Sequence, residues 1–323
     1  MSLLDECRAA DAANPAATFI NREATRLISA NGEHAGDVLN VLPTSRILPS
    51  PELLIDLQRR FGLRVSAAAH LYDALEAEGE AITEEHRLGD HLAHAAHHGT
   101  AHMEIVGVWT AAIRNAEDGT VYKGDKSLGK ETYKEFNDTY VPDIIRVTEA
   151  PELGEIKNFS PYVTKSTGHL KPTTLNGHLY PFGNTSERLK MKVLGTRARG
   201  RSCDGTFDHA TGSGFVAAHG GDYRDAIKNK KALVRLLVHE AGFGMAPFAA
   251  RYLRYLGRQA KVNGHDATDY GRCHNTRAFV PYYAQRLSTA SALGSAVGIK
   301  KGIDAKLRIR ARSRLVPSRS SAA

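Results

Sequence analysis

Tyr140-Val141-Pro142-Asp143-Ile144-Ile145-Arg146-Val147, followed by Thr148-Glu149-Ala150-Pro151-Glu152-Leu153 and then Gly154-Glu155-Ile156-Lys157-Asn158-Phe159, is the stretch on which the reading of this chain turns. Of twelve prolines only Pro142 is followed by aspartate, and Glu155-Ile156-Lys157 begins twelve residues after Asp143. Tyr140 to Val147 reads as a strand with proline at its start, Glu149-Ala150-Pro151 as a turn, and Gly154 to Phe159 as a second strand. Side chains alternate along a strand, so Glu155 and Lys157 share one face while Ile156 points to the other and can enter a core. A hairpin then sets Asp143 beside them. Two carboxylates and an ammonium at one sheet edge suit a hard divalent cation, Mg²⁺ first and Mn²⁺ as the alternative. Such a cation neutralises a phosphodiester and activates water, with Lys157 positioning that water and offsetting transition-state charge. An acid-x-lysine alone is unspecific, since Asp304-Ala305-Lys306 repeats it. The combination with a lone Pro-Asp at hairpin distance is the specific signal. The plainer alternative is a turn-capping aspartate beside a weak surface ion pair.

Working outward, Thr83 caps a helix over Glu84 to His98, and the apolar run Ile105 to Ile113, with Val106, Val108 and Trp109, reads as a strand. Asp118-Gly119 looks like a turn, and Lys123 to Asp138 like a loop or short helix. Beyond the hairpin, Asn184-Thr185-Ser186-Glu187 is a capping-box arrangement opening a helix to about Lys192. A Gly-rich region runs from Gly195 to Gly221. Asp222 to Lys228 reads as a helix, and Leu233 to Val238 as a near-continuous apolar strand of the kind buried in a mixed sheet. Helices near Ala246 to Gln259 and Val280 to Leu293 follow. Towards the N-terminus, Ser50 and Pro51 open an amphipathic helix stopping near Gly62. A second helix, Ser66 to about Glu78, puts Leu71 and Leu75 on one face and ends at Gly79. The fold class is α/β, with three parts: an N-terminal helical segment over 1–80, partly disordered; a central domain over 81–299; and a basic flexible tail over 300–323.

Charge is distributed unevenly. The chain of 323 residues carries +8 in total. Residues 1–80 hold 7 basic and 12 acidic side chains, whereas residues 300–323 hold 8 basic and 1 acidic. The C-terminal three-quarters is therefore a candidate polyanion binder. Candidate phosphate contacts are Arg188 and Lys192 at i, i+4; Arg251 and Arg254, with Arg258, on the non-apolar side of a later helix; and Lys306, Arg308 and Arg310 in the tail. Solvated helix faces look the same, and the tail equally fits a nuclear-import signal. No run of about eighteen apolar residues occurs, which argues against a membrane span, and Met1 to Ala30 has no secretory h-region. Three dispersed cysteines fit a reducing compartment, so an intracellular location, nucleus or cytoplasm, is expected. Cys203, His209, Cys273 and His274 match no compact zinc spacing, and His239-Glu240 lacks the second histidine of a metalloprotease motif because position 243 is Phe243.

Pro142-Asp143 through Glu155-Ile156-Lys157, with a helix and strand before and a helix and strand after, resembles the PD-(D/E)XK, or restriction-endonuclease-like, superfamily over roughly residues 84–260. The resemblance implies a mixed sheet flanked by helices and a Mg²⁺-dependent nuclease acting on DNA. Asp143 and Glu155 match the metal-binding acids and Lys157 the catalytic lysine. Many members carry a further acid on the first core helix, for which Glu85 and Asp90 are the candidates. Asp90, with His86 and His94 at four-residue spacing, has metal-like placement, although a histidine-rich solvated helix is the plainer account. Gly154-Glu155-Ile156-Lys157 and Phe182-Gly183-Asn184-Thr185 are also similar to uncharacterised paralogous proteins of single-celled algae, which adds no mechanism. The expected partner is nucleic acid, with no membrane, and a homodimer is allowed. The alternative of a different class is a catalytically inactive nucleic-acid-binding or complex-forming protein on the same fold.

Overall fold

The computed structural model describes residues 50–60, 63–82, 98–117, 119–124, 130–138, 140–159, 173–175, 178–180, 222–240, 244–265 and 278–315, together with residue 37. The expected helix over Glu84 to His98, apart from His98 itself, and the one over 184–192 lie outside them.

Four strands form a mixed sheet in the order β1 (Thr120–Lys123), β2 (Ile144–Val147), β3 (Glu152–Phe159), β6 (Leu233–Glu240). The first two pairings are antiparallel, and β3 runs parallel to β6 over eight residues. A separate two-stranded ladder joins β4 (Thr173–Leu175) to β5 (His178–Tyr180). The helices are α1 (Ser50–Arg60), α2 (Ser66–Ala77), α3 (His98–Ala116), α4 (Lys130–Phe136), α5 (Arg224–Lys228), α6 (Pro247–Val262) and α7 (Phe279–Leu315).

Consecutive residues of the strands point to opposite faces, and both faces are apolar. Ile144, Ile156 and Leu237 face a core filled by Trp109 and Ile105 of α3, Leu253 and Leu256 of α6, and Tyr283 and Leu287 of α7. Ile145, Leu153, Leu236 and Val238 face the other way, onto Tyr133 of α4 and Tyr223 and Ala226 at α5. The result is a mixed sheet flanked by helices on both sides.

Three expectations are corrected. Ile105 to Ile113 is not a strand but the middle of α3. Its β-branched and aromatic composition favours a strand, yet Ala101, Ile105, Trp109, Ala112 and Ala116 recur at helical spacing and all are buried against the sheet and α7. The expected strand over Tyr140–Val147 is regular only from Ile144, since Pro142 has no N–H to give a ladder, and β1 is a strand over residues to which the sequence assigns no element, apart from Lys123 of the expected loop. Over residues 300–315 a helix stands where a flexible tail is expected, as α7 does not end near Leu293 but continues through Leu315; residues 316–323 lie outside the described residues. Ala296, Ile299 and Ile303 on one side of it close a second core with Ile55 of α1, Val65, and Leu71, Tyr72 and Leu75 of α2. Gly79 ends α2 in the left-handed region (φ 88°), as the sequence implies. Beyond it, Arg310 reaches back to Glu78 Oε1 (2.5 Å) and the Ala74 carbonyl (3.2 Å).

Among the described residues no helix is long and apolar enough to cross a membrane.

Candidate functional site

The β2–β3 hairpin fixes the relation between the two acids. Ile144 stands opposite Gly154, so one step back along the antiparallel register Asp143 stands opposite Glu155. Asp143 lies just before β2 because the Pro142 ring excludes a regular ladder there, while its own carbonyl still accepts the Gly124 N–H at 2.9 Å. Only glycine fits at 124, where a Cβ would come 1.4 Å from the Pro142 carbonyl oxygen. The end of β1 is thus clamped onto the residue pair that delivers Asp143.

Each carboxylate is held at both oxygens. Asp143 Oδ2 accepts the Ile156 N–H at 2.7 Å, and Oδ1 lies 2.9 Å from Nε2 of His102, on α3. Glu155 is buried, with Lys157 Nζ on Oε1 and the Tyr223 hydroxyl donating to Oε2. Burial pushes the Glu155 carboxyl above its ordinary range, the Asp143 charge adds to that, and Lys157 and Tyr223 oppose it. The Tyr223 phenol is driven far up by burial and by the charge on Glu155, so it stays an O–H donor.

Behind His102 lies a second imidazole. His239 of β6 is fully buried and its Nε2 accepts the Trp109 indole N–H at 2.8 Å. Burial, with a contribution from His102, lowers its pKa to about 3 and keeps it neutral.

The structure brings Asp143, Glu155 and Lys157 to one place. Asp90, Glu85, Arg188, Lys192 and the Cys203, His209, Cys273 and His274 set lie outside the described residues. Arg251 and Arg254 are exposed on α6, and Arg308 is exposed on α7. Lys306 lies 5.9 Å from the Tyr72 ring centroid, and Arg310 is engaged with α2 and Glu78. The sequence does not mark His102 or Tyr223 as site residues. His102 carries only a faint signal, as the last of six histidines between residues 86 and 102; Tyr223 carries none.

Among the described residues no group of three or more His, Cys, Asp or Glu is gathered as a metal centre. The donor set nevertheless fits a hard cation. Among the described residues each of the four carboxylate oxygens has one partner, leaving a second lone pair on each, and Mg²⁺ is commonly held by one or two carboxylates with water completing its shell. Two facing acids, one desolvated, are stabilised by any positive charge placed between them. Set against family models, curated proteins and solved structures, the chain matches none.

Proposed function

We propose that the chain is a divalent-metal-dependent nuclease of the restriction-endonuclease-like kind, hydrolysing phosphodiester bonds, with DNA as the preferred substrate. The observation that carries this reading is the pairing of Asp143 with Glu155 across the hairpin, where the Asp143 charge raises the Glu155 carboxyl, with Lys157 on that same Glu155 carboxylate. The order of elements supports it too: α3, β1, α4, the β2–β3 hairpin, the small β4–β5 ladder, α5 and then β6, parallel to β3.

In this reading Asp143 and Glu155 would hold Mg²⁺ or Mn²⁺, which when bound neutralises the scissile phosphate and lowers the pKa of water. The residues themselves do the rest. His102 and the Ile156 N–H fix the Asp143 carboxylate, so its lone pairs do not have to be ordered when substrate arrives. The Lys157 ammonium, about one-third exposed, is tethered by Glu155 where it can face a phosphate and offset negative charge that grows in the transition state. Arg251, Arg254 and Arg308 supply exposed positive charge for the backbone of the nucleic acid.

The test is cleavage of plasmid, single-stranded DNA and RNA by the full chain with Mg²⁺ or Mn²⁺, with chelator as control. Asp143→Ala, Glu155→Ala and Lys157→Ala are each expected to lower the rate at least about 10²-fold, the scale typical of removing a group that stabilises transition-state charge. Equal cleavage by wild type and variants would reject the reading. Metal-independent binding with no cleavage under any condition would favour the catalytically inactive nucleic-acid-binding alternative.

A further inference from the structure

We infer that Tyr223 is a positioning residue that pre-sets the Glu155 carboxylate for a divalent cation. This rests on the nuclease reading above and adds to it a residue from outside the hairpin.

The geometry is that of a fixed pointer. The Tyr223 ring is wholly buried among Tyr133, Ile145, Leu153 and Leu236 on one face of the sheet, and its hydroxyl meets Glu155 Oε2. The backbone that carries it is anchored by Asn137, itself buried, whose Nδ2 donates to the Asp222 carbonyl (3.2 Å) and the Tyr140 carbonyl (3.1 Å). One amide group thus ties the residue before Tyr223 to the segment that leads into Asp143. The two acids are thereby referenced to a common point, although Tyr223 is 68 residues from Glu155 in sequence.

The chemistry of the donor matters. Lys157 neutralises Glu155, whereas a phenol O–H orients a carboxylate oxygen without cancelling the negative charge a cation needs. A phenol carries its proton at neutral pH, so the donor is present. A phenyl ring would fill the same space, so packing alone does not call for the hydroxyl. Removing a hydrogen-bond partner that orients a metal ligand typically costs 10–100-fold in metal affinity or activity.

The experiment is a calorimetric titration of the full chain with Mn²⁺, without nucleic acid, run below the melting temperature of the least stable variant. Wild type, Tyr223→Phe, Glu155→Gln and Tyr252→Phe are compared. Tyr252 is the matched control, a buried tyrosine whose hydroxyl donates to Glu152 (2.9 Å), the first residue of β3. Loss of binding in Glu155→Gln, affinity roughly tenfold or more weaker in Tyr223→Phe and wild-type affinity in Tyr252→Phe is the expected pattern. Cleavage by Tyr223→Phe should then need more Mn²⁺ but approach the wild-type rate at saturation. Wild-type affinity in Tyr223→Phe overturns the role of Tyr223 and leaves the nuclease reading standing. Equal weakening in Tyr223→Phe and Tyr252→Phe also overturns it, as general loosening. No Mn²⁺ binding by wild type overturns both.

Discussion

Replacing Gly294 by alanine places a methyl group where helices α3 and α7 touch backbone to backbone. An added Cβ would lie 2.3 Å from the Cα of Ala101 and 2.6 Å from its Cβ. Ordinary carbon–carbon contact begins near 3.5 Å, so the helices must part by roughly 1 Å, because a Cα cannot turn aside as a side chain can. In an exposed helix the same substitution would stabilise by about 1 kcal/mol through propensity. Overpacking a tight core contact costs about 1–3 kcal/mol, and here the methyl meets main chain, which puts the cost at the upper end. The net expectation is a loss of about 1–2 kcal/mol. Urea unfolding followed by circular dichroism reads the difference, with Gly99→Ala as a partner variant, since nothing lies within 4 Å of a Cβ at Gly99. Ala101 directly precedes His102, so displacing it also strains the His102–Asp143 contact, and cleavage should slow at saturating metal. A Gly294→Ala protein more stable than wild type would refute the close crossing and the route from α7 to the site.

Two further outcomes follow from the same geometry. His239 has a folded pKa of about 3 against an ordinary value near 6.5, so below pH 6.5 the unfolded chain takes up a proton that the folded one refuses. The stability tied to its neutrality is complete above about pH 6.5 and drains away as pH falls towards 3. His239→Gln keeps an acceptor for Trp109 and should show a flatter loss across that window, monitored by the fluorescence of Trp109, the chain's one tryptophan; equal pH slopes would contradict it. On α7, Lys301, Arg308 and Arg312 are exposed at i, i+7 and i+11, opposite Ile299 and Ile303. Changing all three to alanine should make the salt dependence of DNA binding in chelator shallower by up to about 2.7 in log K against log salt, roughly 0.9 per contact. Arg310→Ala, which removes a contact to Glu78 instead, should leave that slope alone; similar slopes for both proteins would exclude the stripe as a phosphate contact.

The hairpin was legible because every cue in it is local. Proline at 142 stops the ladder, Gly154 passes close to Ile144, and Ile156 sinks into the core while its neighbours do not. Where sequence reading failed, the deciding partner was remote or the composition misled. In α3 the β-branched residues and the tryptophan suggest extended chain, and only the repeat from Ala101 through Ala116 gives the helix away. In α7 the basic residues after Lys300 look like a solvated tail, because the surfaces that Ile299 and Ile303 cover belong to α1 and α2. His102 and Tyr223 are invisible for a related reason. They reach the acids from 41 and 68 residues away, and beyond the histidine-rich stretch that His102 ends, nothing in their own neighbourhood marks them.

The second core, shared between α2 and the far part of α7, has a consequence for biosynthesis. Leu71 and Leu75 leave the ribosome early, yet Ala296, Ile299 and Ile303 are made roughly 220 residues later, about 10–45 s at ordinary translation rates. Throughout that interval the early helices present a greasy face with no native cover, as a ready client for a chaperone. Synthesis of the far part of α7, rather than emergence of α1 and α2, is the event that lets this second core close.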